Sequence, residues 1–165
     1  MRPLLDGLPP VLDSDTRLVV LGSFPGVASL QVQQYYGHPR NHFWPILSAL
    51  WNVDLARATY AQRLAEARAH GLGLWDVYAR CEREGSLDSA IENARLNDLA
   101  GLKRLAPRLQ AIAHNGGESA RVMRHTRALG VPVHRLPSTS PANASWSFER
   151  KLAAWRTVLD AHGVA

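Results

Sequence analysis

The chain alternates between short apolar runs and longer stretches in which apolar residues recur every three or four positions. Four runs read as strands: residues 17–22 (Arg-Leu-Val-Val-Leu-Gly), 72–77 (Leu-Gly-Leu-Trp-Asp-Val), 109–114 (Leu-Gln-Ala-Ile-Ala-His) and 131–136 (Val-Pro-Val-His-Arg-Leu). The first is almost continuously apolar, which suits a strand covered on both faces. Helical patterns lie between them. Phe43, Ile46, Leu47, Leu50 and Trp51 share one helix face. Residues 57–69 predict a second helix with Tyr60 and Leu64 inward, and Asn97 is placed to cap a short one at 98–106. Over 117–129, Val122, Met123, Thr126 and Leu129 fall on one side, and Arg121, Arg124 and Arg127 on the other. A last helix spans 145–162, capped by Ser145 or Ser147, with Phe148, Leu152, Trp155 and Leu159 as its stripe. Strands alternating with helices predict right-handed βαβ units. The expected fold is α/β: a three-layer α/β/α sandwich around a central four-stranded, mostly parallel sheet. Ligands in such folds bind at the carboxyl ends of the strands, so the loops after residues 22, 77, 114 and 136 carry the interest.

Length and composition narrow the class. At 165 residues, one domain over 1–165 is expected, with 1–15 as an irregular N-terminal extension. Hydrophobic residues are 46% and charged residues 20%, the balance of a globular chain. No apolar run reaches the length of a membrane span, and the N-terminus lacks the apolar core and cleavage site of a secretory signal. The single cysteine, Cys81, excludes a disulfide framework, a cysteine-rich zinc site and an all-cysteine iron–sulfur cluster within one chain. A cytoplasmic protein is expected. The net charge is +5, and 17 of the 19 basic residues are arginine. Residues 101–135 carry seven bases against Glu118 alone, a charge of +6, which leaves the remainder at −1. A basic region on a near-neutral body suggests an anionic partner such as nucleic acid; a solvated arginine-rich surface fits equally well.

The four loops differ in how much they say. Gly22-Ser-Phe-Pro-Gly26 is a tight turn with exposed N–H groups, suited to an anion or a base edge. It matches neither a P-loop nor a dinucleotide fingerprint nor a nucleophile elbow, so Ser23 is a poor candidate nucleophile and an ordinary strand-to-helix turn remains open. Residues 33–44, Gln-Gln-Tyr-Tyr-Gly-His-Pro-Arg-Asn-His-Phe-Trp, crowd aromatic, imidazole and amide groups before a helix. Tyr35 or Tyr36 offers a face on which a base could stack. Asn41 suits either an N-cap or a functional amide, and His38 and His42 either capping or function. Asn115, at the end of the third strand before two glycines, presents an amide into a pocket or forms a turn. Leu136-Pro-Ser-Thr-Ser-Pro-Ala-Asn143 brackets three hydroxyls between prolines, as a phosphate-contacting loop or as a turn leading to the last helix.

Taken in order, these loops resemble the uracil-DNA glycosylase superfamily over residues 17–160. Tyr-Tyr-Gly-His-Pro-Arg-Asn-His-Phe-Trp, Gly85-Ser-Leu-Asp-Ser-Ala-Ile91 with Asn97-Asp98, and Leu-Pro-Ser-Thr-Ser-Pro-Ala-Asn look most like its hypoxanthine-DNA glycosylase branch. Two departures from other branches stand out. The mismatch-specific branch has a water-positioning Asn where this chain has Phe24, and the best-known uracil branch has a His where this chain has Leu136.

The resemblance implies a monofunctional DNA glycosylase that hydrolyses the N-glycosidic bond of a deaminated base, hypoxanthine foremost. The nucleotide is flipped out of the duplex to reach the pocket. On this reading the base stacks on Tyr36 beside Phe24, and Asn115 reads its edge. Asn41 places the water or contacts the base, with Ser23 as second candidate. Ser138, Thr139, Ser140, His38, Arg121 and Arg124 hold the DNA backbone. No metal or organic cofactor is called for, and the partner is DNA with deaminated bases, bound by a monomer away from membranes and at the nucleoid. A uracil or mixed uracil/xanthine glycosylase, and a non-catalytic reader of damaged DNA, are the rival readings.

Overall fold

A computed structural model describes residues 2–165. Four strands, β2 (Leu18–Gly22), β3 (Leu72–Asp76), β6 (Ala111–Asn115) and β7 (Val133–Leu136), form a fully parallel sheet in the order β3-β2-β6-β7. This is the expected central sheet, with strand limits moved by one or two residues. Every residue of β2 is buried, and its side chains alternate between two cores. Leu18 and Val20 join Phe43, Ile46, Leu47 and Trp155 on one face. Val19 and Leu21 join Trp75, Leu99, Leu102 and Val122 on the other. The continuous apolar run is therefore explained by cover on both sides.

The first face is covered by α2 (Phe43–Trp51), α3 (Tyr60–Ala69) and α7 (Phe148–Ala161). Tyr60 and Leu64 pack inward as expected. Thr59 and Gln62 form a reciprocal capping box that starts α3, and Ser147 caps α7. A six-residue helix, α1 (Val27–Val32), follows the first turn and was not predicted.

Three expectations need correction. The helix at 98–106 is a 3₁₀ turn, Leu99–Gly101, followed by α4 (Leu102–Leu105), and it is capped by Asp98 rather than Asn97. Asn97 instead donates from Nδ2 to the carbonyl of Asp76, at 2.8 Å. The helix at 117–129 is split into α5 (Gly117–Ala120) and α6 (Met123–Arg127). The break lets Ser119 and Thr126 both reach the buried His114 ring, each at 2.8 Å. Burial holds that imidazole neutral by lowering its pKa to about 4. Finally, the N-terminal segment expected to be irregular carries one short strand and one bridge among its described residues, 2–15. Leu4–Asp6 form β1, which pairs with β4 (Tyr78–Glu82), and β4 pairs with β5 (Glu92–Leu96) in a second, antiparallel sheet. Val11 also bridges Leu74 at the edge of the main sheet. Among the described residues, no helix is long and apolar enough to cross a membrane.

Candidate active site

The carboxyl ends of β2, β3, β6 and β7 open into a cavity of about 690 Å³, within the size range of small-molecule sites. Four loops build it, and the tightness of each is set by a local requirement. Gly22 ends β2 beside Asp76, its partner in β3. A Cβ at Gly22 would lie 2.4 Å from Asp76 Oδ1 and 3.4 Å from the Tyr36 hydroxyl, so this position takes no side chain. Gly116 follows β6 with φ +95°, and a Cβ there would meet Ser138 at 3.0 Å. These glycines let the first and fourth loops close on the cavity floor.

The loop before α2 is fixed by its own polar residues. His38 accepts from the Arg40 N–H through Nδ1, and Asn41 donates its N–H to the His38 carbonyl. Asn41 Oδ1 accepts from the Phe43 N–H at 2.9 Å. That bond ties Asn41 to the first residue of α2, but the N-cap position is taken by His42, not by Asn41 as one of its two expected roles had it. It leaves Nδ2 and a second lone pair of Oδ1 for a ligand, and Asn41 lines the cavity. His42 donates its N–H to the Thr139 carbonyl, which ties this loop to the one after β7.

Tyr36 has a left-handed backbone, φ 56°. Its ring stacks on Phe43 with centroids 4.0 Å apart. Asn115 donates from Nδ2 to the Tyr36 hydroxyl at 3.3 Å and to Thr139 Oγ1 at 3.0 Å. Its Oδ1 accepts from the Thr139 N–H at 3.1 Å. That backbone donor fixes which end of the amide is oxygen. Both protons of Nδ2 are thus engaged, and Asn115 clamps the stacking ring to the fourth loop.

In that loop Ser138 Oγ accepts from the Ser140 N–H, and Ser140 Oγ from the Ala142 N–H, so both hydroxyls stabilise the turn they sit in. Lys151 of α7, almost wholly buried, lies 3.2 Å from His42 Nδ1 beneath the same loop. Burial and the Lys151 charge lower the His42 pKa.

Ser23, Phe24, Tyr36, His38, Asn41, Asn115, Ser138, Thr139 and Ser140 are therefore brought together around one cavity. Arg121 and Arg124 are not among the residues that line it. They stand exposed on the 121–127 segment, and Arg121 is already paired with Glu118 at 2.9 Å. Arg135 is the arginine in the cavity wall.

Sequence reasoning missed an acidic side of the cavity. Asp76 is 5% exposed, and its Oδ2 is sealed from solvent with no hydrogen-bond partner among the described residues. Burial, and then the charge of Asp88, raise its pKa to about 7, offset in part by Arg83. Asp88 sits in a 3₁₀ turn, Asp88–Ala90, and accepts from Ser23 Oγ at 2.6 Å. Burial raises its pKa too. Arg83, 1% exposed, lies behind Phe24 with its guanidinium 5.3 Å from the ring centroid, and it donates to the Pro25 carbonyl. Asp76 was legible as a carboxylate at the carboxyl end of an otherwise apolar strand. Asp88 lies in a motif noticed only for its resemblance.

A profile of the Uracil DNA glycosylase superfamily matches residues 9–159. The chain belongs to that superfamily. It is 38% identical over 149 residues to a protein of Methanosarcina barkeri named hypoxanthine DNA glycosylase, covering 90% of this chain and 94% of that one. It is also 38% identical over 153 residues to a protein of the same name from Methanosarcina acetivorans, covering 93% and 96%. A solution NMR structure from M. acetivorans, provisionally described as a uracil DNA glycosylase, superposes with a TM-score of 0.87 at 36% identity, over 96% of this chain and 98% of that one. The superfamily's fold is thus the one expected from the loop order.

Proposed function

We propose that this protein is a monofunctional DNA glycosylase that releases deaminated bases, hypoxanthine foremost, and leaves an abasic site for repair. The observation that carries the reading is the cavity itself. It joins a stacking aromatic ring, an edge-reading amide and a carboxyl group at the strand ends, in a chain whose relatives are named for this substrate.

A flipped base enters against Tyr36, whose ring is held flat by Phe43. Its edge takes the place of the Tyr36 hydroxyl on Asn115 Nδ2, the longer of that atom's two donations, and shares Oδ1 with the Thr139 N–H. Hypoxanthine presents N1–H and O6 to that amide; adenine presents an acceptor and a donor in the reverse order. The mismatch leaves buried polar groups unpaired and discriminates strongly against adenine. The free groups of Asn41 hold the water that attacks C1′, in the role left open by Phe24 in the first turn. Ser23, committed to Asp88, supports the turn. Ser138, Ser140 and His38 meet the phosphates next to the flipped nucleotide, with Arg121 and Arg124 on the flanking duplex; Thr139, 1% exposed and bonded to Asn115 and His42, orients the reading amide instead of touching the backbone. The protein acts as a monomer on nucleoid DNA in the cytoplasm and forms one folding unit over 1–165.

The test is cleavage of duplex oligonucleotides containing inosine, uracil or xanthine, read on a gel after alkali. Strand breaks at inosine above those at uracil support the reading. Breaks at uracil alone make it a uracil glycosylase. Tight binding to inosine DNA without breaks makes it a reader of damage.

A further inference from the structure

We propose that Asp76 acts as a protonated carboxyl group, a general acid that delivers its proton to N7 of the departing purine. The inference deepens the glycosylase reading above and rests on it. Three observations carry it. First, Asp76 lies in the wall of the cavity that receives the base. Second, its Oδ2 is sealed off with no hydrogen-bond donor among the described residues to support an anion, and the residue is only 5% exposed. A carboxylate held this way is costly, and the neutral acid is the form that fits. Third, its other oxygen packs over Gly22 on the side of the Tyr36 hydroxyl, which in turn contacts Asn115 Nδ2. When that Nδ2 takes O6 of hypoxanthine, the next acceptor around the ring is N7, on the Asp76 side.

The ionisable groups that bear on Asp76 agree with a proton held there. Asp88, from the 3₁₀ turn, opposes its ionisation, and Arg83, after β4, favours it. Tyr35 and Tyr36, before α2, stay protonated because burial raises their pKa. Burial is the largest influence on Asp76 and places its pKa at about 7. A bound base removes further solvent and favours the neutral acid more.

The chemistry balances. The N9–C1′ bond breaks and its electron pair moves into the purine, while the Asp76 proton bonds to N7. The base leaves neutral. Water adds to C1′ and gives up one proton, which restores Asp76 through solvent. This route replaces the stabilisation of a base anion, for which Leu136 supplies no group. It also favours purines, because uracil has no ring nitrogen acceptor of this kind.

The experiment is single-turnover cleavage between pH 5.5 and 8.5 on duplexes containing inosine, 7-deaza-inosine or uracil, for wild type, Asp76→Asn and Asp88→Asn. For wild type on inosine the rate is expected to fall about tenfold per pH unit above an inflection near or above neutrality. Asp76→Asn keeps a hydrogen-bond donor but has no proton to give. It should lose about 10²–10³-fold at pH 6, with a flat profile and near-normal binding of uncleaved inosine DNA. The 7-deaza substrate should be slow with wild type and lose little more with Asp76→Asn. Asp88→Asn removes a like charge, so its inflection should move to lower pH. A wild-type rate that is flat or rises with pH overturns the proposal even if Asp76→Asn does not fold. So does an Asp76→Asn rate within threefold of wild type, or an equal loss on inosine and 7-deaza-inosine. Absence of any wild-type cleavage overturns the glycosylase reading together with this one, whereas cleavage with a flat profile overturns this one alone.

Discussion

The buried carboxyl of Asp76 makes a prediction about stability that is independent of catalysis. Its pKa rises from the usual 3.8 to about 7 on folding. Between those values the folded protein holds a proton that the unfolded chain has released. Stability from this group is therefore full in acid, declines as pH rises, and is gone once pH passes the folded value. From pH 5 to pH 8 about two pH units of that window are crossed. At about 1.4 kcal/mol per unit, Asp76 contributes a loss of about 2.5 kcal/mol, a large part of the roughly 5–15 kcal/mol of a typical domain. Asp76→Asn removes the titration. The amide also brings an N–H₂ into a pocket wall that offers Oδ2 no partner, at a cost of about 1–3 kcal/mol, but that cost does not vary with pH and cancels in the comparison. The depressed pKa values of His114 and His42 act in the opposite sense, and they cancel too because both proteins carry them. Urea unfolding at pH 5, 6, 7 and 8 reads the difference. The variant should gain on wild type by about 2.5 kcal/mol across the range, a relative midpoint shift of about 1–2 M. A wild-type-minus-variant difference that changes by less than about 0.5 kcal/mol would refute a neutral buried acid at this position.

Two further outcomes follow from the site. Asn41→Ala should lower the single-turnover rate on inosine DNA by about 10²–10³-fold with little change in binding, if its free groups hold the water; loss of the 2.9 Å bond to Phe43 alone predicts only about 1 kcal/mol of stability and near-normal cleavage. Replacing Arg121, Arg124 and Arg127 together with Gln should weaken binding to any duplex and flatten its salt dependence by up to about three phosphates' worth of slope, less for Arg121 because Glu118 already neutralises part of its charge; an unchanged salt slope assigns them to the solvated surface.

Most of the main sheet was legible because β2, β3 and β6 are buried on both faces, and burial writes itself into sequence as continuous apolar runs such as Leu18–Leu21; β7, at the edge, buries Leu136 alone. The same logic exposed α2, α3 and α7 through their apolar stripes. The second sheet left no such trace. All five residues of β5 are exposed, so backbone pairing holds it, and β4 buries only Tyr78 and Cys81, at a spacing that matches no strand alternation. The split between α5 and α6 was equally hidden, because it answers to His114, a residue distant from the helix periodicity.

At the site, loop chemistry made the Tyr35–Tyr36 pair, Asn41, Asn115 and the Ser138–Ser140 loop conspicuous but left a capping or turn role open for each polar residue, and the family resemblance singled out Tyr36 and gave the asparagines their roles. Their states were decided only in three dimensions. Asn115 is tied to Thr139 and Tyr36 across 24 and 79 residues of chain, and Asp76 becomes an acid only because Gly22, Asp88 and the sealed floor surround it. A residue's type is local information, but its protonation and its free lone pairs depend on solvent exclusion and on partners, and both are properties of the packed structure.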